Sequence, residues 1–298
     1  MKSADFNVCF MYNIGMKIRK ARELGFCFGV RRAIRIIETE AGGGKKIVTL
    51  GPVVHNKNVV ARLKNMGVEV VSSIDNLQNG IVAISSHGAS PGIHQKIKSN
   101  GGTVIDTTCP TVRSAQKTAR RLAREGYSII IFGDADHPEV RGLLGWAEDR
   151  ALASQDAGDI DLGKLENRIG IMAQTTQTQA DFTGFVTHLM ERLLPWAKEI
   201  RVVNTLCSET QKRQKAAEEI AGCSDLMIVV GGYNSANTRR LAEVCSRLVE
   251  TYHIESSDEI KGDWLKGKNT VGITAGASTP DEAIEKVVDR IKSLAAFL

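Results

Sequence analysis

The chain is poor in aromatic residues, at 5%, and holds only six prolines and six cysteines in 298 residues. So few aromatics leave little for stacking nucleic-acid bases. Six cysteines over this length are too sparse for a disulfide scaffold, and they fit reduced thiols in a cytoplasmic setting. No run of about 18 apolar residues exists, so no membrane-spanning helix is expected. A G-x-x-x-x-G-K-[ST] phosphate loop is missing; GGGKK at 42–46 lacks the spacing and reads as a flexible turn. No G-x-G-x-x-G follows a strand either, so the dinucleotide-binding fingerprint is absent. Neither sign of charge dominates: 39 Lys and Arg against 34 Asp and Glu leave +5. That mild basicity suits an anionic ligand or an acidic partner without demanding nucleic acid. The first residues, MKSADFNVCFMYNIGMKIRK, are interrupted by Asp5, Asn7 and Asn13, and no small-residue cleavage pattern follows. They read as no signal peptide, with 1–15 as an extension ahead of a more ordinary start at Met16.

What remains is the composition of a globular protein with a sizeable core: 42% hydrophobic and 24% charged. Short Ile- and Val-rich runs read as strands: KIVTLG (46–51), GIVAIS (80–85), YSIIIFG (127–133), RIGIMA (168–173), DLMIVVG (225–231) and TVGITA (270–275). Amphipathic stretches read as helices over 112–125, 210–221 and 280–298. Strands alternating with helices predict an α/β fold with small, mostly parallel sheets.

The chain also repeats itself. Cys27 in GFCFGVRRAI, Cys109 in DTTCPTVRSAQK and Cys207 in NTLCSETQKRQK each open a helical segment. Twenty-eight residues after each stands a polar residue: His55, His137 and Ser235. Each of these lies four residues past a strand-ending glycine: Gly51, Gly133 and Gly231. A third polar loop closes each copy: SSHGASP (85–91), AQTTQTQ (173–179) and TAGASTP (274–280). Three copies of one α/β unit around a central point are predicted: 16–109, 110–203 and 204–298. The N-terminal segment is expected to pack on the third.

Ligands of α/β folds sit beyond the carboxyl ends of the strands. Three thiols converging there, each at a helix start that favours thiolate, suit zinc or an iron–sulfur cluster. Three rather than four ligands leave one metal position open for substrate. Around them His55, His87, His137, Thr175, Ser235, Asn237 and Ser278 form a ring of donors suited to phosphate oxygens. Glu139 reads either as a proton source or as an acid in the first turn of its helix. Cys223 and Cys245 read as core, as do His94, His188 and His253 as surface or core. Arg113, Lys117, Arg120, Arg121 and Arg124 form a basic helical face, either solvated or a dock for an acidic electron carrier.

Taken together, GFCFGVRRAI, LGPVVHN, SSHGASP, DTTCPTV, HPEV, QTTQT, NTLCSETQKRQ, GGYNSAN and TAGASTPD, spread over residues 25–281, resemble the 4-hydroxy-3-methylbut-2-enyl diphosphate reductase (LytB/IspH) family. The resemblance implies three pseudo-repeated units around one 4Fe–4S cluster held by Cys27, Cys109 and Cys207. It implies a diphosphate gripped by His55, His87, His137, Ser235, Asn237 and Ser278. Thr175 would orient the substrate hydroxyl and Glu139 would feed protons. The implied reaction is reductive loss of that hydroxyl, giving isopentenyl and dimethylallyl diphosphate, the last step of the methylerythritol phosphate route. Reduced ferredoxin or flavodoxin would supply electrons; neither nucleic acid nor membrane is an expected partner. One departure is Ala236, in Asn234-Ser235-Ala236-Asn237, where the family often reads Asn-Ser-Ser-Asn. Two other readings fit the cysteine trio: a Cys₃ zinc hydrolase of a phosphorylated substrate, and a non-enzymatic iron–sulfur sensor.

Overall fold

Short β-branched runs become the inner strands of three sheets in a computed structural model that describes residues 11–13, 15–54 and 56–297. In chain order the strands are β1 (Met11–Asn13), β2 (Met16–Lys20), β3 (Ile47–Leu50), β4 (Val68–Val71), β5 (Ile81–Ile84), β6 (Thr103–Asp106) and β7 (Ser128–Phe132). There follow β8 (Ala151–Ser154), β9 (Arg168–Ala173), β10 (Glu199–Val202), β11 (Leu226–Val230), β12 (Thr251–Ile254) and β13 (Thr270–Ala275). The helices are α1 (Phe28–Ala41), α2 (Lys57–Asn65), α3 (Pro91–Ser99), α4 (Pro110–Arg124), α5 (Pro138–Trp146), α6 (Gln179–Leu193), α7 (Ser208–Ala221), α8 (Ala236–Ser246), α9 (Gly262–Leu265) and α10 (Asp281–Ala295). None of the described helices is long and apolar enough to cross a membrane.

The sheets run β4-β3-β5-β6, β8-β7-β9-β10 and β12-β11-β13-β2-β1. Every pairing is parallel except β1 with β2. The first four positions of each order are one topology used three times. In the third sheet the fourth strand is β2, drawn from the other end of the sequence and paired Val271 to Ile18. The α/β expectation holds, and the inner strands show why it was readable. All residues of β7 and β11 are buried, because helices cover both faces of a parallel sheet. The edge strands β4, β8, β10 and β12 are largely half-exposed and carry polar residues, so periodicity did not mark them.

Helix starts follow local chemistry. Proline opens α3, α4 and α5 at positions where its missing N–H costs nothing. Hence α4 begins two residues earlier than its apolar period alone suggests. Its buried line, Val112, Ala115, Ala119, Leu122 and Ala123, faces the core.

The chain divides into two compact units, Phe28–Cys207 on one side and Met1–Cys27 with Ser208–Leu298 on the other. The first holds two sheets. They are joined where Trp146 of α5 donates from Nε1 to the Ala89 carbonyl at 2.9 Å. The second holds the third sheet, with Ile228, Val271, Ile273, Val287 and Ile291 at its core. One cysteine reading is corrected. Cys223 is exposed, because it follows the end of α7, where its thiol donates to the carbonyls of that last turn and accepts from Arg19. Cys245 is buried, and burial pushes its thiol up to about 12.

Candidate active site

Each cysteine of the trio is tied to a loop in the same way. The Cys109 N–H donates to Ser86 O at 3.0 Å, two residues past β5. Cys207 N–H donates to Thr175 O at 2.9 Å, two residues past β9. Cys27 N–H donates to Ala277 O at 3.2 Å, two residues past β13. All three are half-buried, and no described cysteine is in a disulfide. Each stands at a helix start: Cys27 before α1, Cys109 as the N-cap of α4, and Cys207 before α7. Helix N-termini favour thiolate.

Within Phe28–Cys207, α1, the start of α4 and Cys207 are brought close. The Cys207 Sγ lies 3.9 Å from the hydroxyl of Thr111, in the first turn after Cys109. Arg32, in the second turn of α1, reaches the carbonyls of Thr107 and Thr108 at 3.4 Å, just before Cys109. Soft sulfur ligands presented at helix starts fit an iron–sulfur group by donor chemistry. Among the described residues, no three His, Cys, Asp or Glu side chains are gathered as a ready cage.

Beside the Cys207 loop stands Glu139, 1% exposed. It accepts from Thr175 twice: from the backbone N–H at 2.7 Å and from the hydroxyl at 2.9 Å. Burial pushes its carboxyl up to about 7, against the pull of both Thr175 bonds. Thr175 thus holds a titratable acid with its side chain and N–H, and a thiol loop with its carbonyl. The helix-start reading of Glu139 is also met, since it lies in the first turn of α5. Its carboxylate nevertheless bonds Thr175 and no N–H of that turn.

His137 caps the same helix. Its Nδ1 accepts from the Glu139 N–H at 3.2 Å, so a neutral ring carries its proton on Nε2. His87 meets it edge to face, with ring centroids 5.3 Å apart. Two sheets therefore bring two imidazoles to one place. Gly133 permits the turn that leads there: a Cβ would come within 2.8 Å of the Gln174 Cβ.

The unit Met1–Cys27 with Ser208–Leu298 repeats this loop with other residues. Ser235 caps α8 by accepting from Thr238 N–H at 3.3 Å. It is the counterpart of His137, four residues past Gly231, whose φ of +147° and close Thr279 hydroxyl admit no side chain. Asn237 is the counterpart of Glu139, two residues further on. It is buried, and both its amide oxygen and nitrogen lack a hydrogen-bond partner among the described residues. Ser278 is buried in the loop after β13. Predicted residue His55 lies outside the described residues; the N-cap of α2 is Asn56, which accepts from Val59 N–H at 3.1 Å.

The repeat register also marks a residue that motif reading passed over. His87 and Ser278 are each three residues past a strand end, and Thr176 holds that place after β9. Superposing the three loops in sequence was the available signal.

The chain is similar to known proteins over most of its length. The LytB protein family model matches residues 18–292. The chain is 45% identical over 282 residues to a 4-hydroxy-3-methylbut-2-enyl diphosphate reductase of Dehalococcoides mccartyi (strain CBDB1), covering 94% of this chain and 99% of that protein. It is 43% identical over 280 residues to the reductase of that name from Geobacter sulfurreducens, covering 93% and 97%. A solved structure of (E)-4-hydroxy-3-methyl-but-2-enyl diphosphate reductase, described as the terminal enzyme of the non-mevalonate pathway, aligns with a TM-score of 0.68 at 39% identity, over 93% of this chain and 99% of that one. The E-1-hydroxy-2-methyl-but-2-enyl-4-diphosphate reductase structure from Plasmodium falciparum aligns at 0.85 and 27%, over 91% and 86%.

Proposed function

The chain belongs to the LytB protein family of 4-hydroxy-3-methylbut-2-enyl diphosphate reductases, and from that premise we propose how its residues share the work. The activity is reductive dehydroxylation of the allylic diphosphate to isopentenyl and dimethylallyl diphosphate, the terminal step of the non-mevalonate route. The zinc-hydrolase and sensor readings of the cysteine trio are set aside on the same ground.

Cys27, Cys109 and Cys207 would hold one 4Fe–4S cluster among three α/β units spanning 16–109, 110–203 and 204–298, Cys109 being the last residue of the first. When bound, the cluster supplies a Lewis-acidic iron and a relay for two electrons. The protein's own residues do the rest. His137, whose neutral ring carries its proton on Nε2, shares the diphosphate with His55 and His87. Ser235, Asn237 and Ser278 bind it as well. The open amide of Asn237 supports this role, because a buried amide left without partners is costly unless a ligand completes it. Protonated Glu139 donates to the Thr175 hydroxyl, which in turn donates to the substrate hydroxyl and passes it the proton. With a carboxyl near 7, Glu139 is protonated in about half of the molecules at neutral pH. Reduced ferredoxin or flavodoxin delivers the electrons in the cytoplasm.

The observation that carries this reading is the chain Glu139–Thr175–Cys207: one threonine links a proton source to a thiol loop. The test is iron content of anaerobically purified protein. The parent should be brown with about four irons per chain. Cys27→Ser, Cys109→Ser or Cys207→Ser should lose most of it, while Cys245→Ser should not. Full iron in Cys109→Ser overturns the ligand set.

A further inference from the structure

We propose that the exposed face of α4 docks a small acidic one-electron carrier protein, a proposal that rests on the reductase reading above. Along one line of the helix, Pro110, Ser114, Lys117, Arg121 and Arg124 are all exposed, at spacings that stack on one face. Arg113 and Arg120 flank them. Arg113 pairs with Asp106 at 2.6 Å, and Arg120 and Arg124 share Glu148 at 3.9 and 3.6 Å. Lys117 and Arg121 face no carboxylate among the described residues. The line is graded, uncharged beside Cys109 and cationic beyond it. Small Pro110 and Ser114 let a carrier's redox centre approach Cys109, while the cations hold its carboxylates. Two encounters oxidise two carriers by one electron each. With two protons those electrons turn the allylic alcohol into a C–H bond and water.

An acidic [2Fe–2S] ferredoxin is the probe, its binding to the holoenzyme followed by fluorescence anisotropy. Lys117→Ala with Arg121→Ala should weaken binding roughly tenfold at low salt. The difference should vanish in 0.5 M salt, where the screening length is only about 4 Å. Lys286→Ala with Arg290→Ala makes the same charge change at the same spacing on α10, where both are exposed, and should have little effect. Turnover driven by reduced methyl viologen should be unchanged in both. Unaltered ferredoxin binding in the α4 variant, or equal loss in the α10 variant, overturns the dock. Absence of viologen turnover in the parent overturns the reductase reading, while the anisotropy still decides the dock.

A separate observation concerns Arg213 of α7. Its side chain is buried at 3% exposure, yet it meets no carboxylate among the described residues. It donates to Gly25 O at 3.1 Å and to Glu209 O at 3.5 Å, and its Nε has no partner. A buried guanidinium without a counter-ion calls for an anion nearby. Gly25 stands two residues before Cys27, and α7 opens one residue after Cys207. We infer that Arg213 is a positioning residue that braces the Cys27 turn and balances the negative charge of the thiolate ligands.

Arg213→Gln should release iron to a chelator roughly 10–100-fold faster than the parent and lower the midpoint potential of the cluster. Arg213→Lys keeps the charge, so its potential should stay near the parent's while iron release still quickens. Parent-like iron release and potential in Arg213→Gln overturn the inference. If that variant does not fold, Arg213→Lys decides alone: parent-like iron release overturns the brace, and a lowered potential overturns the charge role.

Discussion

The turns that end in Glu139 and Asn237 are built alike and finished differently. Each leaves a fully buried central strand, β7 or β11, through a glycine that admits no side chain. Each caps the next helix with a polar residue, His137 or Ser235, and buries a second polar side chain two positions on. Glu139 is satisfied within the protein by two bonds from Thr175. Asn237 is left with both amide atoms open. In the roles proposed above, the group that moves a proton is held fixed before substrate arrives, whereas the group that grips substrate is left short of partners until it does. Preorganisation and unfilled bonding capacity are two uses of one scaffold.

The largest expected effect breaks the first member of this pair. Glu139→Gln should lower kcat by roughly 10²–10⁴-fold with little change in KM, because the amide keeps both Thr175 contacts but carries no acidic proton. In the parent, kcat should fall as pH rises through about 7, where Glu139 loses its proton. Equal kcat in the two proteins would reduce Glu139 to a helix-start residue.

Next comes His137→Asn. The shorter amide can still cap α5 through its oxygen, but the Nε2–H is gone. Steady-state kinetics should show KM raised by roughly tenfold or more, from the loss of a bond to a charged oxygen worth about 1.5–3 kcal/mol. Iron content should match the parent's.

Stability sharpens the contrast. The Glu139 carboxyl is raised in the folded state from 4.5 to about 7. Its contribution to stability is therefore fully present below 4.5 and lost as pH rises through 7. Glu139→Gln lacks that loss, so its stability relative to the parent should grow by roughly 3 kcal/mol between pH 4 and 8, read by chemical unfolding of the apoprotein. Asn237→Ala should behave differently. Removing an unsatisfied buried amide should leave stability unchanged or raise it by about 1 kcal/mol at any pH, while KM for the diphosphate rises. A destabilised Asn237→Ala with parent-like KM would make Asn237 structural. The smallest effect is Ala236→Ser, half-buried at the first turn of α8, which should tighten substrate binding by about 1 kcal/mol if the new hydroxyl reaches the diphosphate.

What could be read beforehand followed burial and repetition. β7, β9, β11 and β13 are nearly continuous apolar runs because both faces are covered, and they stand out as such. The edge strand β10, Glu-Ile-Arg-Val, carries charges that water tolerates at a sheet margin, so no period marks it. The 28-residue spacing exposed the cysteine loops and their polar partners. It could not show that Glu139 finds Thr175, since that bond joins loops 36 residues apart, nor that Asn237 finds nothing. Those facts depend on where side chains end, which spacing does not encode. Cys223 misled because a cysteine ahead of a strand is usually buried, and here a helix end intervenes.

The parallel pairing of β2 with β13 imposes a schedule on biosynthesis. Those strands are separated by some 250 residues of sequence. At about 5–20 residues per second, β2 leaves the ribosome roughly 12–50 s before its neighbour exists. Phe28–Cys207 is continuous and can fold as it emerges, but the sheet containing β2 is assembled from both ends of the chain. The backbone bond that seats Cys27 comes from Ala277, two residues beyond β13. With the ligand set proposed above, metal loading at all three thiols waits until β13 has been made, when that late strand supplies the first cysteine with its seat.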